Sequence, residues 1–161
     1  MPGLKFRILL DSHKNEEVFH DILVSDDENF ESLFKSIIEA FEFRGDQMAS
    51  FYVSNVNRDK GEKISLLDLS EGEESSNLKI MKNTRINECL FDTEQKFILI
   101  YDFMKMWTFF VELIDEGKLI NKLKYPRIIF SNGMMPNVAP KKIFDKKDFE
   151  SESDYDDDFL I

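Results

Sequence analysis

Polar and apolar positions alternate near the start of the chain, with Phe6, Ile8 and Leu10 on one face of a predicted strand over 5–10. A polar turn at 13–17 separates it from a second predicted strand over 18–24, antiparallel to the first. There Val18, His20, Ile22 and Val24 share one face, and Phe19 and Leu23 the other. The period then changes. Phe30, Leu33, Phe34, Ile37, Ile38 and Phe41 follow one another at helical spacing and draw a single apolar stripe, which predicts a helix over 30–42. Asn29 is its predicted N-cap, acidic residues at 26–28 and 31 suit the positive end of its dipole, and Gly45 is the predicted stop.

Strands are predicted again over 47–54, as a short piece over 78–81, and as a hairpin of 96–102 with 107–114, while 64–69 is a short apolar stretch. In the second arm Trp107, Phe109, Val111 and Leu113 fall on one face, and Asp102 to Met106 form the turn. Thr84 to Glu88 reads as one capped helical turn, and a last strand is expected over 127–130 after Tyr125-Pro126. Hairpins around one principal amphipathic helix make this an α+β, single-domain chain with a mainly antiparallel sheet. Its expected extent is 1–144, with 145–161 an acidic, disordered tail.

Several segments together resemble the plasmid pRiA4b ORF-3-like family, small proteins carried by plasmids and insertion elements. The resemblance rests on Phe6–Leu10, Ile22-Leu23-Val24, the helix ending Glu39-Ala40-Phe41, and the strand Gln47 to Val53 with its central Phe51. Its most recognisable block is Tyr101-Asp102-Phe103, then Trp107 and Val111-Glu112-Leu113; Tyr125-Pro126 and Gly133 to Pro140 resemble the C-terminal block. The chain departs from the pattern at Met104-Lys105, where Gly-Asp is usual, and at Phe19-His20-Asp21, where Trp-Arg-Arg is usual. A third departure is Gly133-Met134-Met135-Pro136-Asn137, which lacks the cysteine of the family's Gly-Ala-Cys-Pro-Pro. The resemblance covers about residues 4–140 and implies the fold and a mobile-element origin. It brings no biochemical activity with it.

Composition changes the picture in two places. Phe outnumbers Tyr 16 to 4, and because Phe lacks a polar tip the excess predicts a phenyl-rich core rather than base-stacking platforms. Phe97, Phe103, Phe109 and Phe110 are the expected core members of the hairpin. The formal charge is -11, so the average field of the molecule repels polyanions and argues against a general nucleic-acid or anionic-membrane binder. The charge is unevenly spread, however. Residues 117–147 carry eight basic side chains and one acidic, whereas 148–161 carry seven acidic and none basic.

That arrangement makes Lys118, Lys122, Lys124, Arg127, Lys141 and Lys142 candidates for a nucleic-acid-binding strip. Asp154, Asp156, Asp157 and Asp158 become candidates for an autoinhibitory tail covering it. The competing reading is an ordinary solvated face and a solubilising tail. Asp102, ending an apolar strand beside Tyr101 and Trp107, is the one candidate general acid–base; its alternative role is to cap the turn. Cys89 beside Leu90 and Phe91 reads as a small buried hydrophobe, and His20 as a core-edge histidine. One cysteine and two histidines offer neither a disulfide framework nor a zinc set, so no cofactor and no metal are expected. Neither a signal peptide nor an apolar run of membrane-spanning length is visible, so a cytoplasmic protein without a membrane partner is expected. The favoured function is a non-enzymatic protein-interaction module with an unknown protein partner. The alternative is a nucleic-acid-handling accessory of a plasmid or insertion element.

Overall fold

The computed structural model describes residues 2–12, 17–67 and 78–133. Within them lie eight strands: β1 (Pro2–Leu10), β2 (Phe19–Ser25), β3 (Ala49–Ser54), β4 (Lys63–Ser65), β5 (Lys79–Ile80), β6 (Lys96–Tyr101), β7 (Trp107–Lys118) and β8 (Arg127–Asn132). They form one sheet in the order β5-β4-β3-β6-β7-β1-β2-β8, antiparallel throughout except for the parallel pair β4–β5. One helix, α1 (Phe30–Ala40), covers one face. The expected α+β class and its mainly antiparallel sheet are therefore present.

Helix α1 forms where its stripe says it should. Asn29 accepts a hydrogen bond from the Ser32 N–H through its side-chain oxygen at 2.9 Å, satisfying one of the orphan amides of the first turn. The buried stripe then meets the sheet ring by ring. Phe30 lies 5.1 Å from Phe51 and 5.2 Å from Phe97, and Phe41 lies 4.7 Å from Phe109. The stop differs from the expectation at Gly45. Glu42 takes the left-handed conformation (φ 62°), the Glu42 N–H donates to the Glu39 carbonyl, and the Phe43 N–H donates to that of Ile38. This is the Schellman closure with glutamate where glycine is commoner. It turns Phe43 back between Tyr101 and Trp107, at 5.0 and 4.9 Å, so packing favours the earlier stop.

The phenyl-rich core is real but does not take every ring expected. Phe6, Phe30, Phe41, Phe51, Phe97 and Phe109 are among its largest fully buried side chains. Phe103 instead sits exposed in the β6–β7 turn, and Phe110, one residue out of phase with Phe109, points to the sheet's other face. On that face Ile98 and Ile100 are also buried. The β3–β4 loop folds over it, with the Arg58 guanidinium 3.7 Å from the Phe110 ring centre and the Lys60 ammonium 5.3 Å from that of Tyr52. The polar turn at 13–16, residues 68–77 and everything beyond Gly133 lie outside the described residues. That includes His13 and the extent of the predicted tail.

Candidate functional site

Asp102 ends β6 in the left-handed conformation (φ 66°), a backbone state that Asp tolerates better than most residues. Its Oδ1 accepts from the Met104 and Lys105 N–H groups at 3.2 and 3.3 Å, its own N–H donates to the Met48 carbonyl, and its carbonyl accepts from Lys105 and Met106. This is the geometry of a turn cap. Tyr101 and Trp107 face each other across β6–β7 and point into the α1 layer, where the Tyr101 hydroxyl accepts the Gly45 N–H at 3.0 Å. Asp102→Asn, which keeps the oxygen acceptor, should change unfolding free energy by under about 0.5 kcal/mol, whereas Asp102→Ala should lose about 1–3 kcal/mol. Urea titration of both variants checks this. Equal losses would mean that the charge, not the cap, matters there.

The remaining chemistry-bearing side chains are similarly engaged. Cys89 is buried in the core, and that burial pushes its thiol above the ordinary range and disfavours a thiolate. His20 sits half-buried at the edge of the core, its ring 4.5 Å from Phe41 and its Nδ1 2.7 Å from the Ser131 hydroxyl, and burial lowers its pKa. Among the described residues no three His, Cys, Asp or Glu side chains gather as metal ligands. A cleft of about 110 Å³, lined by Leu4, Leu23, Lys118 and Leu119 among others, lies beside β1 and β7. It is well below the roughly 300–1,000 Å³ of small-molecule sites.

Four of the six predicted nucleic-acid residues lie among the described residues, along one stretch of ten. Lys118 ends β7, Lys122 and Lys124 stand in the following loop, and Arg127 opens β8; all four are exposed. The loop is closed by Tyr125, whose hydroxyl accepts the Ile120 N–H at 3.0 Å and donates to the Ile120 carbonyl at 3.1 Å. Residues 118–133 contain these four cations and no carboxylate, and none of the four forms an ion pair among the described residues. Lys141, Lys142, Asp154, Asp156, Asp157 and Asp158 lie outside the described residues.

Strand β8, expected over 127–130 and found over Arg127–Asn132, starts at this basic corner; what residue-by-residue reading missed is its place at the edge of the sheet. It pairs with β2 on one side and is the last strand of the sheet on the other. All six of its residues are exposed, including Ile128 at 37%, Ile129 at 42% and Phe130 at 52%. A register shift opposite Asp21 and Ile22 leaves Ile129 as the extra residue of a bulge. Phe130 stacks on Phe19 at 5.8 Å; Phe19 in turn lies under the Arg7 guanidinium, which is bonded through two nitrogens to the Asp21 carboxylate at 2.9 and 3.0 Å. The far end is pinned by the Asn132 amide donating to the Glu17 carbonyl at 2.8 Å. Pro126 and Arg127 at the head of the strand were the available sequence signal, since both favour edge strands.

Fold and surface thus define a one-sheet α+β protein whose distinctive exposed chemistry is an apolar strand edge beside a basic corner. The chain belongs to the plasmid pRiA4b ORF-3-like family, whose pattern matches residues 2–139. It is also similar in fold to the crystal structure of a protein of unknown function, MM3350, from Methanosarcina mazei Go1. The TM-score is 0.66 at 18% identity, over 81% of this chain and 69% of that one. No curated protein matches it. No helix among the described residues is long and apolar enough to cross a membrane.

Proposed function

We propose that the protein is a non-enzymatic interaction module that binds another protein through the β8 edge. The observation carrying this is the run of exposed Ile128, Ile129 and Phe130 on a strand whose outer side has no partner strand among the described residues. Such an edge presents unpaired backbone donors and acceptors together with apolar side chains, the combination used when an extended segment adds to a sheet. The engagement of Asp102 in its turn and the burial of Cys89 support a binding rather than a catalytic role. A photo-cross-linking amino acid at position 129 should give discrete protein adducts in cells. The same group at the exposed Val56 should not. Identical adduct patterns at the two positions would overturn the reading.

The basic corner favours a second reading, a nucleic-acid-handling accessory of a mobile element. If Lys118, Lys122, Lys124 and Arg127 each met one phosphate of duplex DNA, log K would fall against log salt with a slope of about -3.6. Replacing all four with Ala should abolish that dependence. A slope unchanged by the replacement would remove the corner from consideration.

A further inference from the structure

We infer that residues 148–161 of the chain occupy the β8 edge and the basic corner in cis, so that the partner of this surface is an extended peptide mixing carboxylates with large apolar residues. The inference rests on the reading of β8 as a contact surface and names the chemistry that surface selects. Three observations carry it. The first is charge: four cations and no carboxylate over 118–133 stand against seven carboxylates and no cation over 148–161. Opposite potentials on two segments of one chain steer them together and fix their orientation. The second is apolar content. Phe149, Tyr155, Phe159, Leu160 and Ile161 are interspersed with those carboxylates, which gives the segment side chains to set against Ile128, Ile129 and Phe130.

The third is reach and direction. Strand β8 runs away from the basic corner, from Arg127 to Asn132, and Gly133 follows it directly. The 14 residues from Met134 to Lys147 can span up to about 46–50 Å when extended, against about 20 Å for six residues of strand. The chain is therefore long enough to turn back. A segment returning antiparallel to β8 brings its C-terminal end, with Asp156, Asp157 and Asp158, to Lys122, Lys124 and Arg127. A segment in the opposite sense would carry those carboxylates away from the cations. Effective concentration favours the tethered segment over the same peptide in solution, because a link of this length holds it at about millimolar levels.

Zero-length carbodiimide coupling of the full chain, read by peptide mass spectrometry, tests this directly. The expected products are amide cross-links from Lys118, Lys122 or Lys124 to Asp154, Asp156, Asp157 or Asp158, formed within one copy when labelled and unlabelled chains are mixed. Their yield should fall several-fold from about 0.1 M to about 1 M salt, as the screening length shrinks from about 10 Å to about 3 Å. The full chain carrying Asp154→Asn, Asp156→Asn, Asp157→Asn and Asp158→Asn should show faster amide exchange along β8 and more adducts from position 129. Cross-links only between copies would transfer the segment to a second molecule and overturn the cis assignment; none at the corner would overturn the inference altogether. Adducts at position 129 without tail cross-links would leave the interaction module standing. Tail cross-links with no adducts at position 129 even in the four-Asn chain would sink the module and leave only the cis contact standing.

Discussion

Truncating Phe97 to alanine is expected to lower the free energy of unfolding by about 3–5 kcal/mol, a large part of the 5–15 kcal/mol typical of a whole domain. The ring has no solvent exposure to regain, at 1%, and it is the meeting point of the aromatic core: Phe30 lies 5.2 Å from it, Phe6 6.2 Å and Phe51 6.5 Å. These neighbours come from α1, β1 and β3. A void at Phe97 is therefore walled by three elements, none of which can collapse into it without leaving its own partners. The matched control is Phe91→Ala, at 71% exposure, where a change within about 0.5 kcal/mol is expected. Urea unfolding followed through Trp107 fluorescence compares the two. Equal midpoints would mean that burying the Phe97 ring contributes no more to stability than the exposed Phe91 does.

The second large effect concerns Arg7 and Asp21, and it is asymmetric. Asp21 is 3% exposed, while the side chain of Arg7 is 41% exposed. The hydrogen bonds from Arg7 to Asp21 strengthen the hold of the guanidinium on its proton. Arg7→Met strips an enclosed carboxylate of both bidentate bonds and should cost roughly 1–3 kcal/mol. The figure stays below that for a wholly buried pair because water already reaches the arginine. Combining Arg7→Met with Asp21→Val removes the stranded charge and leaves apolar groups beside Phe19 and Leu23, so the double variant should recover most of the loss. Denaturant midpoints of the single and double variants form the cycle. A double variant as unstable as the sum of its parts would show that the two residues act independently.

The local grammar of this chain was readable, and its long-range assembly was not. The stripe from Phe30 to Phe41 specifies α1 because helix periodicity is written within a few turns, and the Asn29 cap is local chemistry too. The β6–β7 hairpin and the antiparallel β1–β2 pair were legible for the same reason. Strand order was not: β1 lies between β2 and β7, and β8 pairs with a strand about a hundred residues earlier, distances over which alternation says nothing. That is also why Phe103 and Phe110 misled, since composition cannot tell a core ring from one at a turn or on the sheet's other face. The basic corner could be counted from sequence, but not its position at the head of an exposed strand. Glu42 displaced Gly45 as the helix stop because the Phe43 contacts outweigh residue preference in the left-handed region.

The placement of β1 has a consequence for how the molecule is made. Nine residue pairs join β1 to β7, and Leu10 meets Phe109. The β1–β2 hairpin thus leaves the ribosome with its inner edge bare and waits for roughly a hundred more residues to be translated before that edge is covered. At about 5–20 residues per second, the wait is on the order of 5–20 s. During that interval Leu4, Phe6, Ile8 and Leu10 depend on α1 alone for shelter, and any factor that holds nascent chains has its natural target there.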